Sequence, residues 1–230
     1  MSMERSSQAH WIPLADLMTG LMLIFLLITA AFMLRVEQTT TLVVKEYEET
    51  KQELVRALQV EFDKNLKQWD AEFLGSMTLR FKNPDVLFAT GSAELKPKFK
   101  AILNEFIPRY TKILSSEKFK NSIQEIRIEG HTSTFWSGKK AGGQDAYISN
   151  MALSQARTRS VLEHVLKIDG IQESEAWLRE KLTANGLSSS KPIMTGSDVV
   201  DELASQRVEF RIVTNAEARI ESMAREFSRK

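Results

Sequence analysis

LMTGLMLIFLLITAAFML, residues 17–34, is a run of 18 residues without a charge, and it decides how the chain is built. As an α-helix this run rises ~27 Å, close to the ~30 Å thickness of bilayer hydrocarbon. It is longer than the apolar core of a signal peptide, and no clear cleavage site of small residues follows it. The run therefore predicts one retained membrane-spanning helix, which we assign to residues 11–35.

An acidic residue stands at the head of this run. Asp16 follows the apolar residues Trp11, Ile12, Leu14 and Ala15, so its carboxylate falls just inside the apolar segment. An ionisable group there costs a few kcal/mol and usually faces a partner helix or a water-filled path. Asp is also a good N-cap at the positive end of a helix dipole. Position alone leaves two interpretations of Asp16 open, a functional carboxylate and a helix cap.

The composition excludes several classes of protein. Lys and Arg total 31 while Asp and Glu total 30, so we expect no basic surface for nucleic acid. The absence of Cys excludes a disulfide framework, Cys-ligated zinc and thiol catalysis. The three His residues have no metal-binding spacing, and neither a P-loop nor a nucleophile elbow is present. We therefore predict that the chain is not an enzyme and needs no cofactor.

The residues after the span predict a long helix. No Gly or Pro occurs between Leu21 and Leu74, and apolar residues recur mostly four apart within a strongly charged segment. That spacing places them in a stripe along one helix face. The stripe fits two interpretations equally, pairing with a second copy or packing on the chain's own domain. We assign 36–75 to this helical linker or dimerisation segment, with a stripe of Leu54, Leu58, Phe62, Leu66, Trp69 and Phe73.

A domain of class α+β is predicted over residues 76–214, followed by a tail, 215–230, that holds a short polar helix. The order β, α, β, α, α, β predicts a small mixed sheet with helices on one face. The apolar pattern predicts that the second helix turns one face toward the core, with Leu153, Ala156, Val161, Val165 and Leu166 on or near that face. The predicted strands are 77–81, 86–88, 126–128 and 208–212, and the predicted helices are 96–114, 151–168 and 173–182, the last stopped by Asn185-Gly186.

One strand end and one helix start are predicted to form a polar cleft. The loop Gly130-His131-Thr132-Ser133 follows the strand, and Asn150 precedes the helix that carries Arg157. Asn150 can cap this helix, and Arg157 can form a forked pair with a carboxylate. Such a cleft suits a ligand that bears carboxylates. Taken singly, each residue also has an ordinary explanation, as a cap, a surface ion pair or a satisfied loop histidine.

Several motifs of the domain occur in the order typical of one family. From roughly residue 77 to residue 213 the chain resembles the OmpA-like peptidoglycan-binding family. The resemblance implies that the domain binds the diaminopimelate-bearing stem peptide of the cell wall, with ligand-site roles for His131, Thr132, Asn150, Leu153 and Arg157. The motifs are VLF at 86–88 with GSAELKP at 91–97, IEGHT at 128–132, NMALSQAR at 150–157, NG at 185–186 with KPI at 191–193, and RVE at 207–209.

The sequence departs from the family pattern at two places. Ser133 stands where the family usually has an Asp that pairs with the amino group of the ligand. The loop that follows is longer than usual and carries Asp145, which we hypothesise takes the place of the missing acid. Before the last strand, the family's NRRVE is replaced by SQRVE at 205–209. Both departures predict a weaker or conditional affinity for the wall.

The membrane segment also carries a family pattern. Asp16 is followed by Met18-Thr19, Met22 and Phe25-Leu26, and it is preceded by Trp11. This pattern resembles the B subunit of flagellar stators, MotB, and more closely the ZorB family of Zorya anti-phage systems. The resemblance implies that Asp16 takes up and releases the driving ion, a proton or sodium. Thr19, one turn on, would bond the carboxylate or the ion, or else its own helix backbone.

The two resemblances together imply an architecture. The chain would be a single-pass inner-membrane stator subunit with residues 1–10 in the cytoplasm and the wall-binding domain in the periplasm. Each copy would give one helix to a central dimer, surrounded by a ring of ZorA- or MotA-like subunits. Two alternatives remain, a flagellar stator subunit of the MotB type and a passive peptidoglycan tether that has no need of Asp16.

Overall fold

The computed structural model describes residues 5–136, 139–140 and 143–228. The chain divides into two compact units, residues 1–46 and residues 47–230. The helices are α1 Arg5–Trp69, α2 Pro84–Leu87, α3 Pro97–Leu114, α4 Gln144–Val165, α5 Glu175–Lys181, α6 Glu202–Ser205 and α7 Asn215–Ser228, with a 3₁₀ turn at Gln172–Ser174. The strands are β1 Ala71–Leu74, β2 Thr78–Phe81, β3 Ile123–His131, β4 Phe135–Trp136, β5 Lys139–Lys140, β6 Leu182–Gly186, β7 Ile193–Met194, β8 Val200–Asp201 and β9 Arg207–Thr214.

The first unit consists of the N-terminal part of α1. Its segment Pro13–Gln38 is long and apolar enough to cross a membrane, and none of it is buried within the structure. Because α1 already includes Arg5, Asp16 lies several turns inside the helix rather than at its start. The interpretation of Asp16 as a helix cap is therefore wrong.

The second unit is built on a five-stranded sheet in the order β1-β2-β9-β3-β6. The sheet is mixed, since β3 runs parallel to β6 and antiparallel to β9. Alternate residues of the central strands, such as Ile128 and Phe210, are fully buried, while Arg127 and Arg211 on the opposite face are partly exposed. Helices α3 and α4 pack on the buried face, so the predicted class α+β is confirmed.

The core joins this sheet to α3. Aromatic residues recur on one face of α3 at helical spacing, and Phe106 is completely buried there. Its ring centroid lies 5.7 Å from that of Phe81 on β2 and 5.3 Å from that of Phe210 on β9. Edge-to-face pairs of this kind add ~0.5–1.5 kcal/mol each beyond the area they bury.

The C-terminal part of α1 packs on the chain's own domain. Leu54, Leu58 and Phe62 are almost completely buried, and the Phe62 ring lies 5.2 Å from Phe106. Of the two interpretations of the apolar stripe, packing on the domain is the one that the structure shows for these residues. Pairing of the segment with a second copy stays a prediction.

The predicted helical linker ends earlier than residue 75. Helix α1 stops at Trp69, and Asp70 adopts a left-handed backbone with φ 53°. The chain then turns into the edge strand β1, so Phe73 belongs to a strand and not to the helical stripe. Asp tolerates this backbone better than most side chains, which explains why the break needs no Gly.

One further prediction of secondary structure is wrong, and one strand was not predicted. Residues 86–88 are not a strand, because Asn83 and Pro84 start a single helical turn in which the Phe88 N–H donates to the Pro84 carbonyl. The helix predicted at 173–182 is present as the 3₁₀ turn and α5, which ends at Lys181. The residues that follow it, Leu182–Gly186, were not assigned to a strand and form the parallel strand β6. This strand forms through its parallel pairing with β3, which no local pattern of the segment reveals.

Candidate ligand-binding cleft

A cleft opens where the C-terminal end of β3 and the first half of α4 meet two short loops. Its volume is about 480 Å³, within the usual range of ~300–1,000 Å³ for ligand sites. Four of the predicted site residues line it, namely Thr132, Asn150, Leu153 and Arg157. The remaining lining residues are Pro84, Phe88, Thr90, Gly91, Ser133, Phe135, Trp136, Leu203 and Gln206.

Arg157 supplies a buried positive charge. Its Nε donates to the Ser92 carbonyl at 2.9 Å and its Nη2 donates to the Ala89 carbonyl at 3.4 Å, and the guanidinium carbon lies 4.9 Å from the centroid of the Phe88 ring. Burial lowers the pKa of Arg157, but a guanidinium stays protonated in proteins. The two backbone bonds fix the orientation of the group, and its remaining N–H donors can hold a carboxylate.

Asn150 has a different role from the one predicted. Helix α4 begins at Gln144, so Asn150 lies inside the helix and is not its cap. Its Nδ2 donates to the carbonyls of Ser133 at 3.2 Å and Phe135 at 3.1 Å. These bonds tie the loop after β3 to α4, so Asn150 shapes the wall of the cleft.

Val161 and Val165 of α4 are completely buried, as predicted, but the first half of the inner face differs from the predicted apolar face. Ser154 and Thr158 are buried there, whereas Ala156 is exposed and Leu153 is half-buried in the cleft. The cause is a close approach between α4 and the sheet. A Cβ placed on Gly130 would lie 2.6 Å from Thr158 Cγ2, and one placed on Gly186 would lie 2.3 Å from the Gln155 nitrogen.

His131 lies behind the cleft rather than in its wall. The residue is 3% exposed, and neither ring nitrogen has a hydrogen-bond partner among the described residues. Its Nε2 is 3.7 Å from Glu209 Oε2 and 3.9 Å from Glu129 Oε2. Burial is the main reason that the pKa of His131 is lowered, although both carboxylates oppose the change. The prediction of a satisfied loop histidine is therefore wrong.

An ion-pair network surrounds this histidine. Glu209 Oε1 accepts from Arg207 Nε at 2.6 Å and from Arg80 Nε at 2.8 Å. Burial opposes ionisation of Glu209, but His131 and Arg207 outweigh it and hold the pKa of this carboxyl far below its usual range. The ligand atoms of Glu129, His131 and Glu209 lie within 4.8 Å of one another, close enough for a metal ion. Two guanidinium groups already neutralise Glu209, however, and they would repel a cation there.

Asp145 is not brought into the cleft. It lies in the first turn of α4, its side chain is exposed, and it is not among the lining residues. The carboxylate that does contact the loop after β3 is that of Glu202, which accepts from the Thr134 N–H at 2.7 Å and from the Thr134 hydroxyl. Sequence reasoning missed Glu202, because Glu202 and Thr134 are far apart in the chain.

In the first unit, Thr19 bonds its own helix. Its Oγ1 donates to the Ala15 carbonyl at 2.7 Å, which is the ordinary alternative for a Thr at this position. Asp16 itself is exposed on the helix surface. The next turns carry an exposed apolar surface of Met18, Leu21, Met22 and Phe25.

Comparison with known proteins agrees with this arrangement. Residues 87–204, about half of the chain, match the OmpA family. The Zorya protein ZorB of Escherichia coli is 45% identical over 224 residues, which cover 94% of this chain and 93% of that protein. A protein from Desulfovibrio vulgaris described as MotB-like has a solved structure that is 25% identical, with a TM-score of 0.51, over 73% of this chain and 93% of that one. The chain therefore belongs to the ZorB family of Zorya proteins, and its second unit contains a domain of the OmpA family.

Proposed function

We propose that this protein is an ion-driven stator subunit of the inner membrane, anchored to peptidoglycan and acting in anti-phage defence. The observation that carries the proposal is a carboxylate, Asp16, within an exposed apolar helix. A tether needs an apolar helix but gains nothing from a charge inside it. The 45% identity to a Zorya protein favours the defence role over a flagellar stator of the MotB type.

The proposed arrangement follows from the two units. Residues 1–10 lie in the cytoplasm, the helix crosses the membrane, and the OmpA-like domain lies in the periplasm. Two copies pair their membrane helices, and ZorA- or MotA-like subunits surround the pair as a ring. The exposed side chains of Met18, Met22 and Phe25 supply apolar surface for those partner helices.

Asp16 is proposed to take up and release the translocated ion, a proton or sodium. A proton that crosses the membrane down its potential releases ~2.3 kcal/mol per 100 mV. Protonation removes the charge of the carboxylate and weakens its attraction to polar groups of the ring, and release restores both. Thr19 already donates to Ala15, but its oxygen can still accept from protonated Asp16 or contact a sodium ion.

The decisive experiment replaces Asp16 by a side chain of nearly the same size and shape that cannot ionise. Asp16→Asn should assemble with the partner subunits but abolish ion flux in proteoliposomes and protection of cells against phage. Glu37→Gln, which removes another carboxylate from α1, is the matched control and should retain both activities. Protection by the Asp16→Asn variant would reject the ion path and favour a passive tether.

The cleft is proposed to hold the stem peptide of peptidoglycan. Arg157 binds a carboxylate of the diaminopimelate residue, while Thr132, Asn150 and Leu153 shape the site and His131 supports it from behind. Asp145 is proposed to bind the amino group. Since it lies outside the cleft in the free protein, this role requires the start of α4 to move when the ligand binds.

Binding of a purified muropeptide tests this part of the proposal. Loss of a charged hydrogen-bonding partner costs ~1.5–3 kcal/mol, so Arg157→Ala should weaken affinity about 10- to 100-fold. Arg159→Ala is the control, because Arg159 is exposed and pairs with Glu163 at 2.8 Å. Asp145→Ala should also weaken binding. Unchanged affinity in that variant would remove Asp145 from the site, and unchanged affinity in Arg157→Ala would reject the wall-binding role of the cleft.

A further inference from the structure

Two walls of the cleft come from segments that are far apart in the chain. The loop after β3 supplies one wall through Ser133, Phe135 and Trp136, and the α6 segment supplies another through Leu203 and Gln206. We call them the loop wall, residues 133–136, and the α6 wall, residues 202–206. Surface segments of this kind are mobile unless tertiary contacts fix them. The shape of the cleft therefore depends on the contacts that hold these two walls.

Each wall is attached to a different part of the domain. The loop wall is held on α4, because Asn150 Nδ2 donates to the carbonyls of Ser133 at 3.2 Å and Phe135 at 3.1 Å. The α6 wall is held on β7, because the Ser205 hydroxyl accepts from the Ile193 N–H at 2.9 Å. These bonds fix each wall to its own support, and a further contact is needed to fix the distance between the two walls.

Thr134 and Glu202 make a contact that crosses from one wall to the other. The Glu202 carboxylate accepts from the Thr134 N–H at 2.7 Å with one oxygen and from the Thr134 hydroxyl with the other. Hydrogen bonds to an ionised carboxylate are shorter and stronger than those between neutral groups. Both residues are half-buried, and neither lines the cleft itself. The pair therefore acts on the cleft through its neighbours in the two walls.

We infer that Thr134 and Glu202 form a clasp that holds the loop wall and the α6 wall at the spacing that the ligand needs. This inference rests on the proposed binding of peptidoglycan by the cleft. Without the clasp the two walls move separately, and the cost of ordering them on binding is subtracted from the affinity. Glu202 is thus a positioning residue, which sets the geometry of the cleft and does not touch the ligand.

Titration calorimetry of the full-length protein in detergent with a purified muropeptide tests the clasp. Glu202→Ala should weaken the affinity about 2- to 10-fold, as expected when one or two side chains must be ordered on binding. Glu202→Gln should retain most of the affinity, because its amide oxygen can accept from the Thr134 N–H and its amide nitrogen can donate to the Thr134 hydroxyl. Glu117→Ala is the control and should bind like the parent, since Glu117 is exposed and pairs with Lys120 at 2.6 Å outside the cleft.

Hydrogen–deuterium exchange gives a second readout, of the walls themselves. In the free protein, Glu202→Ala should speed the exchange of the amides at 133–136, because the Thr134 N–H loses its acceptor. The muropeptide should restore the protection seen in the parent. Thr134→Ala should weaken binding less than Glu202→Ala does, and it should add no further loss to Glu202→Ala, because partners in one contact are not additive.

The outcomes separate this inference from the proposed function. An unchanged affinity in Glu202→Ala would overturn the clasp and leave peptide binding intact. Equal losses in Glu202→Ala and Glu202→Gln would also overturn it, because they would assign the charge of Glu202 to a direct contact with the ligand. Failure of the parent to bind the muropeptide would overturn both proposals. The urea unfolding midpoint verifies that Glu202→Ala is folded, and Thr134→Ala provides the readout if it is not.

Discussion

At the scale of single residues, His131 makes stability depend on pH. Burial lowers the pKa of His131, so the folded protein favours the neutral ring. A folded pKa below the unfolded value of about 6.5 contributes stability above that pH, and the contribution is lost as the pH falls toward the folded pKa. The free energy of unfolding should therefore decrease between pH 7.5 and pH 5.5. Glu209, whose pKa is lowered, affects stability only at more acidic pH.

His131→Gln should reduce this pH dependence, measured as the change in unfolding midpoint of the full-length protein in detergent. His164 is the reference, because burial also lowers its pKa but it lies outside the network and bonds Asn104 at 2.9 Å. His164→Gln should keep the part of the pH dependence that His131 contributes. An identical pH dependence in the parent and in His131→Gln would show that His131 is not its source.

The residues of the cleft also show how far sequence reasoning reaches. Asn150, Leu153 and Arg157 were predicted together from one motif, and they do share the cleft. Trp136 and Glu202 were missed, although two aromatic residues in a polar loop were a visible signal for the first. The loop that carries Trp136 is positioned by hydrogen bonds to Asn150 of α4 and Glu202 of α6, and no local sequence pattern reveals these bonds. The motif predicts which residues meet, and tertiary contacts decide what surrounds them.

At the scale of elements, helix α4 was the hardest to predict. Hydrophobic periodicity correctly placed Val161 and Val165 in the core. It also placed Leu153 and Ala156 there, but in that part of the helix the buried positions are Ser154, Arg157 and Thr158. The helix approaches β3 and β6 so closely that only small side chains fit between them. Apolar patterns describe helices that are separated from a sheet by large side chains, and they fail where glycines let backbones meet.

The C-terminal part of α1 belongs to the core, and this gives a prediction about fragments. A fragment of residues 47–230 should unfold cooperatively in urea, whereas a fragment of residues 76–230 should not. The shorter fragment lacks Leu54, Leu58, Phe62 and Trp69, all of them buried. Each such loss costs ~2–5 kcal/mol against a total stability of ~5–15 kcal/mol. Equal urea midpoints for the two fragments would show that the helix is dispensable.

At the scale of the whole molecule, the sequence predicted both units and their order. An uncharged run of 18 residues is sufficient to predict a spanning helix, and the OmpA motifs are sufficient to predict the domain. The sheet was predicted less completely, since β1 and β6 become strands only through their pairing with β2 and β3. Membership of the ZorB family also agrees with the prediction that the chain is not an enzyme.

The bonds of Arg157 to main-chain carbonyls have a mechanical consequence for the proposed motor. In the proposed motor the wall-bound domain would take up the reaction torque of the ring, so the bound peptide would be under tension while the ring turns. Because Arg157 is fixed to the carbonyls of Ser92 and Ala89, a pull on its guanidinium loads two backbone segments at once, the loop at 89–92 and helix α4. The tension would therefore be shared between two main-chain segments instead of being carried by one long, flexible side chain. This sharing favours an attachment that lasts under load.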